Sequence, residues 1–151
     1  MPKVKIEQGD WVIVCDGQKA LILENAGDEK FPNLQTRNVI EQDNPPTHVQ
    51  GTDAPGRSHG GPGSNGGGIE QTDWHRQEEE RFLRRLVDNL ESAVKAGTAK
   101  AIVIVAPPRA MGVIRDASSK NLKAALRAEV DKDYVRMPVY EIEKHLTGMT
   151  R

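Results

Sequence analysis

The chain has 151 residues, enough for one domain with a substantial buried core. Hydrophobic residues make up 36% of it and aromatic residues only 4%, so we expect a core of aliphatic side chains. Its 21 lysines and arginines balance 22 aspartates and glutamates, and the net charge of −1 excludes a globally basic nucleic-acid coat and a strongly acidic solvating protein.

The first part of the chain predicts an antiparallel meander of three strands. Apolar residues predict strands at 11–15 and 20–24, joined by an Asp16-Gly17 turn in which Gly17 is suited to a positive φ. A second turn leads to a third strand at 34–42.

Residues 44–68 predict one long flexible loop. Eight of the 14 glycines of the chain fall within residues 51–68, and no apolar periodicity runs through the segment. Such a composition does not bury enough surface to offset the entropy of ordering it. A loop of this length inside a domain is usually functional or disordered.

Helices and strands alternate after this loop. Apolar residues at three- and four-residue spacing predict an amphipathic helix over 74–96, with Gly97 at its C-terminal cap. The run 101–106 is apolar throughout and predicts a buried central strand.

The end of the chain predicts one more strand between two helices. Ser118 or Ser119 caps the first helix, residues 134–137 form the strand, and Pro138 begins the last helix. The predicted fold class is α/β in a single domain over residues 1–151, with the meander followed by α-β-α-β-α. Because a β-α-β unit pairs its strands in parallel, the sheet is expected to be mixed, as in ribonuclease-H-like folds.

The acidic, cysteine and histidine side chains give little support to a catalytic function. A two-metal nuclease needs carboxylates from several strands. Asp16 could supply one, but the predicted central strand carries none. Cys15, the single cysteine, lies inside a predicted strand and excludes a disulfide framework. The spacing of His48, His59 and His75 matches no ligand signature, so no metal and no cofactor are predicted.

Neither a membrane span nor a secretion signal is evident. No apolar run reaches the ~18–20 residues that a transmembrane helix needs. Residues 1–10 are polar and lack the apolar core of a signal peptide. We therefore expect a cytoplasmic protein without a membrane partner.

The clearest excess of positive charge lies between residues 107 and 127. Asp116 is the one acid there, against the basic residues Arg109, Arg115, Lys120, Lys123 and Arg127. Lys120, Lys123 and Arg127 are spaced by three and four residues, which predicts that they share a helix face. The stretch is a candidate docking surface for RNA phosphates, and an ordinary solvated helix face is the alternative.

Residues 11–20 (WVIVCDGQKA), 106–115 (APPRAMGVIR) and 131–146 (DKDYVRMPVYEIEKHL) together resemble the bacterial host-attachment protein family. The resemblance covers essentially the whole chain and implies a role in bacterial attachment to host cells. That family is in turn similar to the middle domain of archaeal and eukaryotic peptide-chain release factors and of Pelota, which implies the same order of strands and helices.

In release factors, a Gly-Gly-Gln loop between the third strand and the first long helix reaches the peptidyl-tRNA ester. Here Gly66, Gly67 and Gly68 occupy that topological place, and Gln71 is the nearest glutamine that follows. The resemblance therefore makes Gln71 the candidate catalytic residue, positioned by the glycines to orient water. Because Ile69 directly follows the glycines and the loop is acidic, a non-catalytic role is favoured, as in Pelota, which lacks the catalytic motif.

The sequence thus predicts a non-catalytic module that associates with RNA or the ribosome and is linked only indirectly to host-cell attachment. One alternative is a peptidyl-tRNA-type ester hydrolase that uses the glycine-rich loop. Another is a protein-interaction module that influences attachment through regulation.

Overall fold

A five-stranded mixed sheet with helices on both faces forms the body of the protein. The computed structural model describes residues 4–42 and 61–148, and residues 61–73 by their backbone alone. The strands are β1 (Trp11–Cys15), β2 (Lys19–Asn25), β3 (Leu34–Glu41), β4 (Ile102–Val105) and β5 (Leu126–Val130). The helices are α1 (Gly61–Lys95), α2 (Pro108–Ala117), α3 (Lys120–Ala125) and α4 (Val139–Thr147).

The strand order in the sheet is β3-β2-β1-β4-β5. β1, β2 and β3 pair antiparallel, whereas β4 lies parallel to both β1 and β5. The predicted α/β class, the antiparallel meander and the mixed sheet are therefore confirmed. β4 is a central strand, as its unbroken apolar sequence predicts.

Alternate side chains of the central strands pack into two separate layers of the core, one on each face of the sheet. Ile102 and Ile104 of β4 pack with α1, α2 and α3, and the partners from these helices include Phe82, Leu86, Met111, Ile114 and Leu122. Val103 and Val105 point the other way, toward Ile142 and Leu146 of α4. This period of two places apolar side chains on both faces of β4, so the sheet is covered by helices on both sides.

The last strand lies earlier in the sequence than predicted. It is β5, and residues 134–137 form a turn in front of α4. The serine cap was located correctly, because the Ser119 hydroxyl accepts the Leu122 N–H at 3.2 Å, but α3 ends after six residues. Val135 is buried in the core beside α4. The apolar residues that predicted a strand at 134–137 therefore belong to a turn that packs against the core.

The first long helix also begins earlier than predicted. α1 starts at Gly61, so residues 61–68 of the predicted loop are helical, while residues 44–60 lie outside the described part of the chain. The loop prediction depended on the glycine-rich composition of the segment and on its lack of apolar periodicity. Extending a helix that tertiary packing has already nucleated is far less costly than starting one, and Pro62 is compatible with a first turn.

Gly17 does not adopt the positive φ predicted for it. Among the described glycines, positive φ values occur at Gly9, Gly97 and Gly148, and Gly97 thus confirms the predicted C-terminal cap of α1. The β1–β2 turn is held instead by Asp16, whose Oδ1 accepts the N–H groups of Gln18 and Lys19 at 2.8 and 2.9 Å. The requirement for glycine at position 17 has another cause, which lies in its contact with α1.

Burial of Cys15 makes its thiol a poor acid, and this gives a first prediction. Desolvation, with a smaller contribution from the charge of Asp16, raises the pKa of Cys15 from 9.0 to about 12. In the unfolded chain the thiol ionises near its ordinary pKa, so the free energy of unfolding is expected to fall as the pH rises from 9 toward 12. Cys15→Ala should flatten this dependence in denaturation curves measured across that range. An unchanged slope in the variant would contradict the assignment.

Candidate functional site

The five basic residues of the predicted RNA surface lie on three consecutive elements. Arg109 and Arg115 belong to α2, Lys120 and Lys123 to α3, and Arg127 to β5. The prediction that Arg127 shares a helix face with the two lysines is wrong, because α3 ends at Ala125 and the chain continues as a strand.

Three of these cations nevertheless meet at one place. Arg115, Lys123 and Arg127 surround a surface depression of about 600 Å³ on the outer strand β5, together with Leu126, Ala128 and Glu129. We call this feature the β5 depression. Its lining has three cations and one carboxylate, but both arginines also pair with carboxylates, so Lys123 is the cation that supplies its positive charge most directly.

Arg115 is held in place by two acidic residues at the end of β5 and just after it. Its Nε donates to Glu129 Oε1 at 2.8 Å, and its Nη2 lies 3.9 Å from Asp131 Oδ1. The hydrogen bond to Glu129, followed by the charges of Glu129 and Asp131, raises the pKa of Arg115. The guanidinium is half exposed, so an incoming anion has access to it.

Arg127 has a structural role at the edge of the sheet. Its Nε donates to Oδ2 of Asp10 at 2.8 Å, and its Nη1 lies 3.6 Å from Oε2 of Glu7. Asp10 is only 4% exposed and also accepts the Glu7 N–H at 2.8 Å. Arg127 therefore ties the segment before β1 to the outer strand and compensates a buried carboxylate.

The two lysines of α3 are the accessible cations of this surface. Both are exposed, and neither forms an ion pair with any residue that the structure describes. Lys123 lines the β5 depression, and Lys120 lies three residues earlier on the same short helix. An external anion can approach them without displacing an internal partner.

Arg109 belongs to a different cavity, at the carboxyl ends of β1 and β4. This cavity of about 290 Å³, here called the strand-end cleft, lies between α1 and the start of α2. It is lined by Gly17, Arg76, Glu79, Glu80, Leu83, Pro107, Arg109, Ala110 and Val113. The structure therefore divides the predicted basic residues between two sites.

The contact of Gly17 with α1 explains why glycine is needed in the β1–β2 turn. A Cβ atom at position 17 would lie 2.7 Å from Cγ and 2.9 Å from Cβ of Glu79. Such distances are shorter than real carbon contacts, so any larger residue would displace Glu79 or α1. The absent side chain of Gly17 thus lets Glu79 enter the wall of the cleft.

Gln71 and Gly66 to Gly68 lie within α1, not in a loop before it. The structure describes these residues by their backbone only, so the catalytic role of Gln71 stays a prediction. In the described part of the chain, no three histidine, cysteine, aspartate or glutamate side chains are grouped so that they could hold a metal ion. None of the helices described there is long and apolar enough to cross a membrane.

The strand-end cleft was missed by the sequence analysis. Its residues come from the β1–β2 turn, from α1 and from the start of α2, and only the parallel pairing of β1 with β4 brings these together. A usable signal was the Ala106-Pro107 end of the central strand, because ligands of open α/β sheets bind outside such carboxyl ends.

Comparison with known proteins gives one family. The family model described as "Protein required for attachment to host cells" matches residues 11–146. Among solved structures, an archaeal translation termination factor is similar over 91% of this chain with 12% sequence identity and a TM-score of 0.46. The aligned region spans 36% of the length of that factor. No curated protein matches the sequence.

Proposed function

The chain belongs to the family of proteins required for attachment to host cells, and we propose that it acts there as a non-catalytic module that binds RNA, either free or in the ribosome. Its effect on attachment is then indirect, through the RNA that it engages. The observation that carries this proposal is the β5 depression, where Arg115, Lys123 and Arg127 converge from a helix, a second helix and a strand.

The depression has the charge that a nucleic-acid backbone requires. Phosphate contacts by lysine and arginine release condensed counterions, and this release drives much of the affinity of proteins for RNA. Lys123 supplies an ammonium group that forms no ion pair with the described residues, and Lys120 extends the positive surface along α3. Since phosphate contacts carry no base information, we expect affinity without sequence preference.

The arginines contribute in two different ways. Arg115 is oriented by Glu129 but remains half exposed, and exposed ion pairs are weak enough to exchange one anion for another. A phosphate entering the depression can therefore share this guanidinium with Glu129. Arg127 is anchored by Asp10, whose charge it compensates, so we expect it to keep its position and to add little net charge.

Charge reversal on α3 tests the proposal. Lys120→Glu combined with Lys123→Glu should weaken binding to poly(U), poly(A) and mixed-sequence RNA alike, and should make the negative slope of log affinity against log salt shallower by about 0.7 for each lysine. Fluorescence anisotropy with labelled RNA measures both quantities. Both lysines are exposed, so the fold should be unaffected, which thermal unfolding checks.

A matched control makes the same change of net charge elsewhere. Lys30 and Lys144 are exposed and lie outside α2, α3 and β5. Lys30→Glu combined with Lys144→Glu should leave RNA affinity nearly unchanged. Equal weakening by the two double variants would contradict a localised RNA surface.

Gln71→Ala separates this proposal from the hydrolytic alternative. For a binding module, the variant should bind RNA like the original chain, and neither should cleave a model peptidyl-tRNA. Cleavage by the original chain that is abolished in Gln71→Ala would favour an ester hydrolase instead.

A further inference from the structure

The strand-end cleft has the position of a ligand site in an α/β sheet. From β1 the chain turns to β2 on one side, whereas from β4 it passes through α2 and α3 to β5 on the other. β1 and β4 are parallel neighbours, so the chain leaves their carboxyl ends in opposite directions. Crevices at such a switch point are where open α/β sheets bind their ligands.

The lining of the cleft carries both signs of charge. Within the described part of the chain, Arg76 and Arg109 form no ion pair, and Glu79 forms none either. Glu80 differs from them because its Oε2 accepts from Nη2 of Arg84 at 3.0 Å. Arg76, Arg109 and Glu79 therefore line a single volume of about 290 Å³, each without an ion pair to any residue that the structure describes.

The carboxylate is built into the wall and does not extend freely into solvent. Glu79 is half-buried, and its Cβ, Cγ and Cδ atoms all pack where a side chain at position 17 would be. Leu83, Ala110 and Val113 supply an apolar surface beside it. A ligand in the cleft would thus meet charges on some walls and aliphatic side chains on the others.

We infer that the strand-end cleft binds a small zwitterion of the free amino-acid class with an aliphatic side chain. The carboxylate of the ligand pairs with Arg76 and Arg109, since guanidinium groups match carboxylates with two parallel hydrogen bonds. Its ammonium group pairs with Glu79, and its side chain packs on Leu83 and Val113.

Size and charge both favour this ligand class over a phosphate. The cleft holds the liquid volume of about ten water molecules, which suits a free amino acid. A phosphate dianion would lie beside Glu79 and leave that carboxylate without a partner, which is costly once water is displaced. A zwitterion satisfies the arginines and the glutamate together.

Isothermal titration of the full chain with L-leucine tests the inference. L-Leucine should bind, whereas acetate, n-butylamine and inorganic phosphate, which each offer charge of one sign only, should bind at least about tenfold more weakly. Glu79→Gln and Arg76→Gln should each weaken L-leucine binding about tenfold or more. Arg85→Gln, an exposed change on the same helix outside the cleft, should leave it unchanged.

The outcome of this titration is independent of RNA binding, because neither Arg76 nor Glu79 belongs to the basic surface. No heat with L-leucine at tens of millimolar, tighter binding of inorganic phosphate than of L-leucine, or equal affinity of the two cleft variants and Arg85→Gln would each overturn the inference. Gly17→Ala gives a second readout: it should abolish binding by displacing Glu79 while thermal unfolding still shows a folded chain.

Discussion

Ile104→Ala is expected to lower the free energy of unfolding by about 2–5 kcal/mol, the range for truncating a buried aliphatic side chain. Ile104 is fully buried in β4, with β1 on one side and β5 on the other. Its side chain packs in the layer formed with α1, α2 and α3, so the cavity left by the change cannot be filled by solvent or by a small local shift.

Val39→Ala is the matched control for this prediction. Val39 is also a β-branched residue in the middle of a strand, but it is 45% exposed on the edge strand β3. Its truncation should cost less than about 1 kcal/mol. Urea denaturation of both variants measures the difference, and a cost below about 1 kcal/mol for Ile104→Ala would mean that β4 is not central.

Asp10→Ala is expected to lower the free energy of unfolding by about 2–3 kcal/mol. Removing one partner of a buried ion pair typically costs about 3–5 kcal/mol, and the estimate here is lower because the Arg127 side chain is 30% exposed. The change also removes the acceptor of the Glu7 N–H. Urea denaturation measures the loss.

A double-mutant cycle with Arg127→Ala isolates the pair. The combined variant should lose less than the sum of the two single losses, because both remove the same contact. Glu29→Ala, which removes a surface ion pair with Lys5, should cost less than about 1 kcal/mol. Additive losses for Asp10 and Arg127 would show that they are not coupled.

Most of the sheet could be predicted because its strands carry strong local signals. The central strand β4 is apolar at every position, and β1 and β2 are joined by a turn that Asp16 stabilises with its own side chain. β5 could not be found in this way. Leu126 to Val130 alternates half-buried with exposed side chains at an edge, and its start continues the spacing of α3.

The candidate sites depend on pairings that the sequence does not reveal. The basic residues of 107–127 could be located as a stretch, but their division between the β5 depression and the strand-end cleft follows from where α2 starts and α3 ends. Gly17 shows the same limit. Turn chemistry predicted a backbone role for it, whereas the contact with Glu79 arises from residues 62 positions apart in the sequence.

The basic surface is also smaller than the sequence suggests, because internal carboxylates occupy two of its arginines. Arg127 compensates Asp10, and Arg115 is shared with Glu129. The lysines of α3 are therefore the residues on which RNA binding depends most directly. Substitution of Arg127 would confound binding with stability and is not a suitable test of RNA contact.

The most direct test of RNA binding is the salt dependence of affinity for a labelled single-stranded RNA, measured with the full chain by fluorescence anisotropy. Three or four phosphate contacts predict a slope of log affinity against log salt of about −2 to −3. A slope in this range that becomes shallower in the Lys120→Glu, Lys123→Glu variant is the expected result. No binding at low salt, or an affinity that does not change with salt, would contradict RNA binding by the β5 depression.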